Sequence, residues 1–444
     1  MNQTAIRLAI IACFAPLAMV AHPVFADVTD DLKAEIAAQR AQLDAQRARL
    51  EALEKKLDAT AAAQQVATQQ AAAAQATPSP LATNGRGLTL SRGTSNITLY
   101  GLIDATISSV DHANAASDRK TSYQTSWFSG DRWGILGSHD LKTGGLKAIF
   151  KLESEFEVAT GNMDSPGVLF NRDAWVGFES DAMGKLTFGR QNAVARDFAT
   201  NYLDPYGRVT TTTAEGGGTN TNNFKQLIYY AASATGTRYD RGVVWKKNFG
   251  KEFVVGLGYQ FGGIAGDSSN NSTTTAAFGY NGGVINVAGF YNRYNVNGLT
   301  HNGWSLGGNV PLGPVRLNAG YFDYTAKQGG GFTDRKDKAY TLSASFAPTG
   351  PLDYQLGYQV IKAKNAGLSS AGFVINPYAD ASGIHAIGTG DKKVLYGSVF
   401  YHFDEQTEVY FAADYMKLTD GYKLGVTNGS DKQTEVAVGM RYSF

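Results

Sequence analysis

Residues 97–107 read Ile-Thr-Leu-Tyr-Gly-Leu-Ile-Asp-Ala-Thr-Ile. Side chains of an extended chain alternate between two faces. Ile97, Leu99, Gly101, Ile103, Ala105 and Ile107 therefore share one face, and Thr98, Tyr100, Leu102, Asp104 and Thr106 share the other. A soluble sandwich alternates in the same way, so this strand alone does not decide the fold. The succession of such strands does. From Asn96 to Phe444 they recur, clearest at 96–108, 145–158, 169–179, 251–261, 284–294, 303–312, 314–325, 339–347, 352–363, 393–403, 406–418 and 433–444. Counted over the whole of Asn96–Phe444, with a boundary to be drawn around 224–249, the strands number sixteen.

The connections carry the second signal. Short Gly- or Pro-bearing turns fall at 142–145, 181–184, 249–251, 281–283, 313–314 and 349–351. Longer polar loops alternate with them near 109–122, 159–168, 193–235, 262–271, 295–301, 326–337, 364–391 and 419–431. Short turns at one end and long loops at the other mark a transmembrane barrel. In hydrocarbon an open sheet edge would strand N–H and C=O groups, so the sheet must close. Sixteen antiparallel strands enclose an aqueous channel. The aromatics Phe400, Tyr401, Phe403, Tyr410, Phe411, Tyr415, Tyr442 and Phe444 are expected in girdles at the two interfaces, with some Tyr turned inward. The last strand places Val436, Val438, Met440, Tyr442 and Phe444 on one face, opposite Glu435, Ala437, Gly439, Arg441 and Ser443. A final strand ending on Phe444, with Tyr442 before it, resembles an assembly signal of outer-membrane proteins.

The N-terminus reads as a secretory signal over 1–26: Arg7, an apolar core from Leu8 to Val20 interrupted by Pro16, then Val24-Phe25-Ala26. A chain starting at Asp27 lacks the single cysteine, Cys13, and with it any disulfide or thiol chemistry. Forty Lys and Arg against 39 Asp and Glu give +1; without Arg7 the balance is 39 − 39 = 0. A neutral total argues against nucleic-acid binding. It also means that ion selectivity depends on where charges sit.

Residues 27–58 carry heptads. Ile36, Leu43, Leu50 and Leu57 repeat every seven residues, and Leu32 and Leu53 fill companion positions shared with Gln39 and Gln46. Asp30 and Asp31 suit a helix N-terminus, and Lys55 and Lys56 suit its other end. A coiled coil about 40 Å long is expected. The Ala/Gln-rich and Pro-bearing segment 59–95 reads as a linker, and 96–444 as the barrel.

Within the barrel, Ile97–Asp104, Arg132-Trp133-Gly134, Gly145–Glu153, Phe170–Gly177 and Leu186–Gln191 occur in order. Together they resemble the opening strands of Gram-negative general diffusion porins, above all those of β-proteobacteria. The resemblance is strongest over 96–191, extends to the terminus and is absent from 27–95. It implies an all-β transmembrane barrel that works as a homotrimer and passes small hydrophilic solutes and ions. It also implies a third loop folded inward as a constriction, which suits the long 193–235 connection. Arg132 and Arg172 match wall arginines of such porins, and Arg238 or Arg241 matches a third, with Arg190 nearby. Ala214-Glu215-Gly216-Gly217 partly matches the acidic loop motif, which makes Glu215 the first acidic candidate, ahead of Asp204 and Asp197. The Pro and Phe of that motif are missing here. The implied partners are outer-membrane lipid and lipopolysaccharide, the barrel assembly machinery, further copies of the chain, and peptidoglycan through a periplasmic coil. No metal or cofactor is expected.

Three other readings exist. A barrel hydrolase would need clustered catalytic groups, but His112, His139, His301, His385 and His402 are scattered and form no spaced pair. A substrate-selective channel would use loop aromatics such as Tyr202, Tyr206 and Tyr378. An envelope tether would work mainly through the coil.

Overall fold

A computed structural model describes residues 37–38, 40–56, 87–114, 116–203, 232–366, 388–420 and 430–444. The signal segment, most of the linker, Glu215, Asp204, Tyr206, Tyr378 and His385 lie outside the described residues. The chain divides into two units, Met1–Pro78 and Ser79–Phe444. In the first, residues 37–38 and 40–56 are helical (α1), with every described side chain exposed, including Leu43, Leu50 and Leu53.

The second unit is a closed antiparallel barrel. Its strands are β1 (Leu88–Arg92), β2 (Ser95–Val110), β3 (Lys120–Gln124), β4 (Asp131–Asp140), β5 (Lys147–Phe156), β6 (Asp173–Ser180), β7 (Gly184–Asn192), β8 (Arg238–Phe249) and β9 (Phe253–Gln260). They continue as β10 (Thr273–Asn281), β11 (Asn286–Val296), β12 (Leu299–Leu312), β13 (Val315–Ala326), β14 (Arg335–Phe346), β15 (Leu352–Ala366), β16 (Gly388–His402), β17 (Thr407–Leu418) and β18 (Lys432–Ser443). Sixteen of them, β2 and β4 through β18, each pair with two neighbours in a ring that β18 closes on β2. At the seam, Gly101 N donates to Phe444 O at 2.8 Å, and Phe444 N donates to Gly101 O at 3.0 Å. A Cβ at residue 101 would stand 2.3 Å from Phe444 Cζ, so the terminal ring lies directly over a glycine.

The two short strands complete the edges of β2, the longest strand. Leu102–Val110 pair with β18, and Ser95–Leu99 pair with β1 along the same edge. On the other edge Ser95–Leu102 pair with β4 and Thr106–Val110 with β3. Residues 88–92 fall in the segment read as linker, yet they form this strand. Leu88 and Leu90 stand opposite Leu99 and Ile97 and extend the apolar outer face.

Two expectations need correction. Residues 295–301 are no long loop: β11 and β12 run to Val296 and from Leu299, leaving only Asn297 and Gly298 between them. Both have left-handed backbones, φ 48 and 81, as a tight two-residue hairpin requires. Gly298→Val should therefore cost about 1–2 kcal/mol. It is expected to lower the temperature at which the folded barrel converts to its slower-running unfolded form on a gel. The second correction concerns Phe400 and Tyr410, which are buried in the lumen rather than in a girdle. Adjacent residues of a strand point to opposite faces, so Phe400 cannot share the outside with Tyr401, nor Tyr410 with Phe411. The outer aromatics Tyr401 and Phe403 pack at 5.0 Å between ring centres, and Tyr442 and Phe444 at 6.2 Å.

Candidate functional site

The lumen is lined by the second face of the barrel strands, and one dense cluster of its charges lies on β4 to β6. Cross-strand pairing puts Leu102 beside Arg132, Arg132 beside Glu155, Gly134 beside Glu153, and Glu153 beside Asp173, all on the inner face. Arg172, just before β6, donates from Nε to Glu153 Oε1 at 2.6 Å and from Nη1 to Glu155. Lys151 Nζ lies 3.0 Å from Glu153 and 2.7 Å from Asp173. Tyr100 donates its hydroxyl to Glu153 Oε2 at 2.6 Å. Arg132 Nε donates to Gly130 O at 2.8 Å. Three cations thus interleave with three carboxylates on one patch of wall.

The structure brings Arg132 and Arg172 onto this inner wall. Arg172 is held by wall carboxylates, Glu153 and Glu155. Sequence reading passed over Lys151, Glu153, Glu155 and Asp173 as site residues. Their signal was available: Lys151, Glu153 and Glu155 alternate on one strand and must share a face.

Arg190 and Arg241 do not join the wall. Between Gly189/Gln191 and Gly242/Tyr239 the β7–β8 ladder shifts register, with an extra residue on β8. Arg190 stands opposite Ala174, on the outward face, and pairs there with Asp240. Arg241 sits at the bulge with φ 55, and its Nη2 donates to Gly262 O at 3.1 Å. Arg238 opens β8 next to the fully buried Tyr239, with Nη1 3.3 Å from Thr237 Oγ1. A bulge re-aims side chains locally, and nothing in the spacing of Thr237–Arg241 announces it.

Two segments fold inside the barrel. The first is α2 (Val194–Leu203), which opens the long connection after β7 and packs on the inner wall from β9 to β13. Val194, Phe198 and Tyr202 recur every fourth residue and form one stripe of the helix. The wall under them is bare glycine. A Cβ at residue 256 would meet Phe198 at 2.7 Å and Val194 at 2.9 Å, one at 258 would meet Val194 at 2.9 Å, and one at 279 would meet the Tyr202 hydroxyl at 2.4 Å. Tyr202 is buried and acts as an anchor, its carbonyl accepting from Asn309 Nδ2 at 2.9 Å, rather than lining a solute path.

Asp197 fixes the same helix by accepting from Asn192 Nδ2 at 3.0 Å and pairing with Lys246. Burial alone would raise its carboxyl, but the Lys246 charge, the hydrogen bonds from Lys246 and Asn192, and Arg196 together hold it below the ordinary carboxylate range. A depressed folded pKa stabilises the seat above the ordinary value near ~3.9, and this is lost only as pH falls through the lower folded value. Conductance is therefore expected to stay level down to about pH 4 and to step only below it. Asp197→Asn should abolish that step in a bilayer titration.

The second inward segment is Ser126–Gly130, ahead of β4. Asp104 Oδ2 accepts from the backbone N–H groups of Phe128 and Ser129, each at 2.9 Å, and Asp104 Oδ1 accepts from the Tyr410 hydroxyl at 2.6 Å. Phe128 packs at 4.9 Å from Phe400 and 4.8 Å from Tyr410. Arg441 lies over Phe128 at 5.7 Å, donates to Ser129 Oγ at 3.0 Å and pairs with Glu408. His402 sits between Asp353 at 2.8 Å and Glu408 at 2.9 Å, so both ring nitrogens face carboxylates. His301 instead meets the Tyr324 hydroxyl at 2.7 Å, and His139 meets Ser95 Oγ at 2.8 Å. These histidines stay apart. Among the described residues no cluster suits a metal ion.

A closed sixteen-strand barrel, apolar outside and lined with charge inside, defines a channel-forming outer-membrane porin. A family model described as Gram-negative porin matches residues 59–421, and the chain belongs to that family. An outer membrane porin protein of Bordetella pertussis is 28% identical over 415 residues, covering 79% of this chain and 94% of that protein. Outer membrane porin protein 32 of Delftia acidovorans is 26% identical over 271 residues, covering 52% of this chain and 76% of its own. An anion-selective porin from Comamonas acidovorans shares the fold with a TM-score of 0.60 at 24% identity, covering 79% of this chain and 100% of that one. OmpF of Salmonella typhi shares it at 0.51 and 17% identity, over 80% of this chain and 100% of that one. The protein is an outer-membrane channel for passive diffusion.

Proposed function

We propose that the channel passes small hydrophilic solutes and ions through a waist narrowed by the connection after β7, with Arg132 and Arg172 on the wall and Glu215 and Asp204 on the loop. The observation that carries this reading is the interleaved cluster of Arg172, Lys151, Glu153, Glu155 and Asp173 on the lumenal face. Opposed charges across a narrow passage orient water and dipolar solutes and resist apolar ones. The inward seat of α2 supports a loop that turns into the lumen. No catalytic role is assigned to the histidines.

The working unit is a homotrimer, and α1 joins its copies in a periplasmic coiled coil that contacts peptidoglycan. The exposed Leu43, Leu50 and Leu53 support this, since a single helix of such length gains stability chiefly by packing an apolar face. Tyr442 and Phe444 serve as the assembly signal. Planar bilayers and swelling of loaded liposomes test the pore: unrelated neutral sugars should enter in order of size. Absence of current, or entry of one sugar alone, would overturn it. Crosslinking of the full chain and of a chain lacking 27–80 tests the coil, which predicts fewer linked trimers without it.

A further inference from the structure

Lys392 stands on the inner face of β16 near the long-loop end, opposite Ile361 of β15 and Leu418 of β17. Only 2% of it is exposed. Among the described residues, no group forms a hydrogen bond with its Nζ. Its inner-face neighbours Ile361, Val394 and Leu418 are buried and apolar. The carboxylates of the same wall do not serve it. Asp337 of β14 is held by Arg335 Nε at 2.7 Å. Asp414 lies two inner positions further from the rim than Leu418, opposite Tyr396 and Glu435, and accepts no hydrogen bond from Nζ. A cation buried among hydrocarbon without a counter-charge is costly, and an anion brought to it offsets that cost.

Between this side chain and the rim the inner wall is nearly bare. Gly390 and Gly388 are the inner positions of β16 beyond Lys392, and they pair with Ala363 and Ala366 of β15. Simple alternation after Ala363 would turn Asn365 inward. Instead the ladder shifts register between Lys364 and Ala366, with Asn365 at φ 54, and Ala366 takes the buried position. Four inner positions on two adjacent strands therefore carry nothing larger than a methyl group. They make a groove in the wall that runs from the rim to the Lys392 ammonium.

We propose that this groove is a binding site for a monocarboxylate with an apolar body, an arylalkanoic acid, whose carboxylate meets Lys392 Nζ while its body lies along the Ala–Gly groove. Ligand sites are mostly apolar with a few placed polar groups, which is the make-up here. Charge selects the head group. One ammonium on an apolar wall is matched by one negative charge, whereas a phosphate dianion would leave a net charge among hydrocarbon. A neutral solute would leave the ammonium unpaired. Long loops mark the extracellular end, so the acid reaches the groove from outside. The site stands apart from the charges on β4 to β6 and does not depend on how the waist selects ions.

The test is equilibrium dialysis of radiolabelled phenylbutyrate against the purified full-length protein in detergent, with empty micelles as the blank. It needs no current, so its failure is separate from failure of the pore reading. The wild type should bind the acid and melt at a higher temperature in its presence. Lys392→Met keeps the length and removes the charge, and should bind at least about tenfold more weakly, as loss of a charge-assisted hydrogen bond implies. Without ligand this variant should melt above the wild type, because an unpaired buried cation is gone. The neutral amide of the same acid should compete poorly on the wild type, and this arm needs no variant. Acetate, which has the charge without the body, should also compete poorly. Equal binding by Lys392→Met, or equal competition by the amide or by acetate, would overturn the proposal. So would a lower melting temperature of ligand-free Lys392→Met, by showing that the protein's own groups already satisfy the ammonium.

Discussion

Arg172→Ala should turn the channel toward cations and destabilise the barrel by about 3 kcal/mol, the lower end for breaking a buried ion pair. Arg172 is almost fully buried and holds Glu153 at 2.6 Å while pairing with Glu155. Without it, Glu153 keeps Lys151 at 3.0 Å, whereas Glu155 loses its arginine. The wall patch of Arg132, Lys151 and Arg172 against Glu153, Glu155 and Asp173 passes from neutral to one net negative charge. A lumen with low-dielectric walls focuses that field on passing ions. The zero-current potential across a salt gradient should move in the cation-preferring direction, and the melting temperature should fall. Arg172→Lys keeps the charge but loses the planar fork, so it should hold the selectivity and lose part of the stability. An unmoved potential in Arg172→Ala would take this residue out of the conduction path.

Gly256→Leu should unseat α2 and widen the pore. Phe198 and Val194 occupy the space a side chain at 256 would need, at 2.7 and 2.9 Å from the position of its Cβ. Forcing bulk into a packed contact costs about 1–3 kcal/mol. The wall is fixed by two ladders, so the helix is the part that yields. Its remaining holds, the Asp197 pair with Lys246 and the Asn309 bond to Tyr202, lie to either side of this contact. Single-channel conductance and the size limit in liposome swelling should both rise. Phe198→Ala combined with Gly256→Leu makes room for the new side chain and should bring the conductance back toward the wild-type level. Conductance unchanged in Gly256→Leu would mean that the helix does not narrow the path.

Much of the barrel was legible in the sequence because a strand writes its two environments into alternate residues. The rhythm of 97–107 and the run of turns set the architecture, and the count of sixteen closed strands follows from them. Errors came where a connection was read by polarity alone. Asn297-Gly298 is polar, yet a two-residue turn is what that pair favours. The strand at Leu88–Arg92 went unread because five residues carry too little periodicity to stand out from a linker.

The site was only partly legible. Arg132 lies on the inner face by the alternation of β4, whereas Arg172, just ahead of β6, leaves that alternation and is drawn to the inner wall by Glu153 and Glu155. Arg190 lies outward by the ordinary alternation of β7, on the face of Phe188, while Arg241 is displaced by one extra residue on β8, a bulge that leaves no periodic trace. Phe128, Asp104, Tyr410 and Arg441 meet only when the ring closes, across more than 300 residues of chain between Asp104 and Tyr410. Alternation acts between neighbours along the chain, so the chain by itself determines strands, faces and the need to close. Contacts across the seam and inside the lumen depend on register and curvature, and only the folded cylinder decides which charges meet.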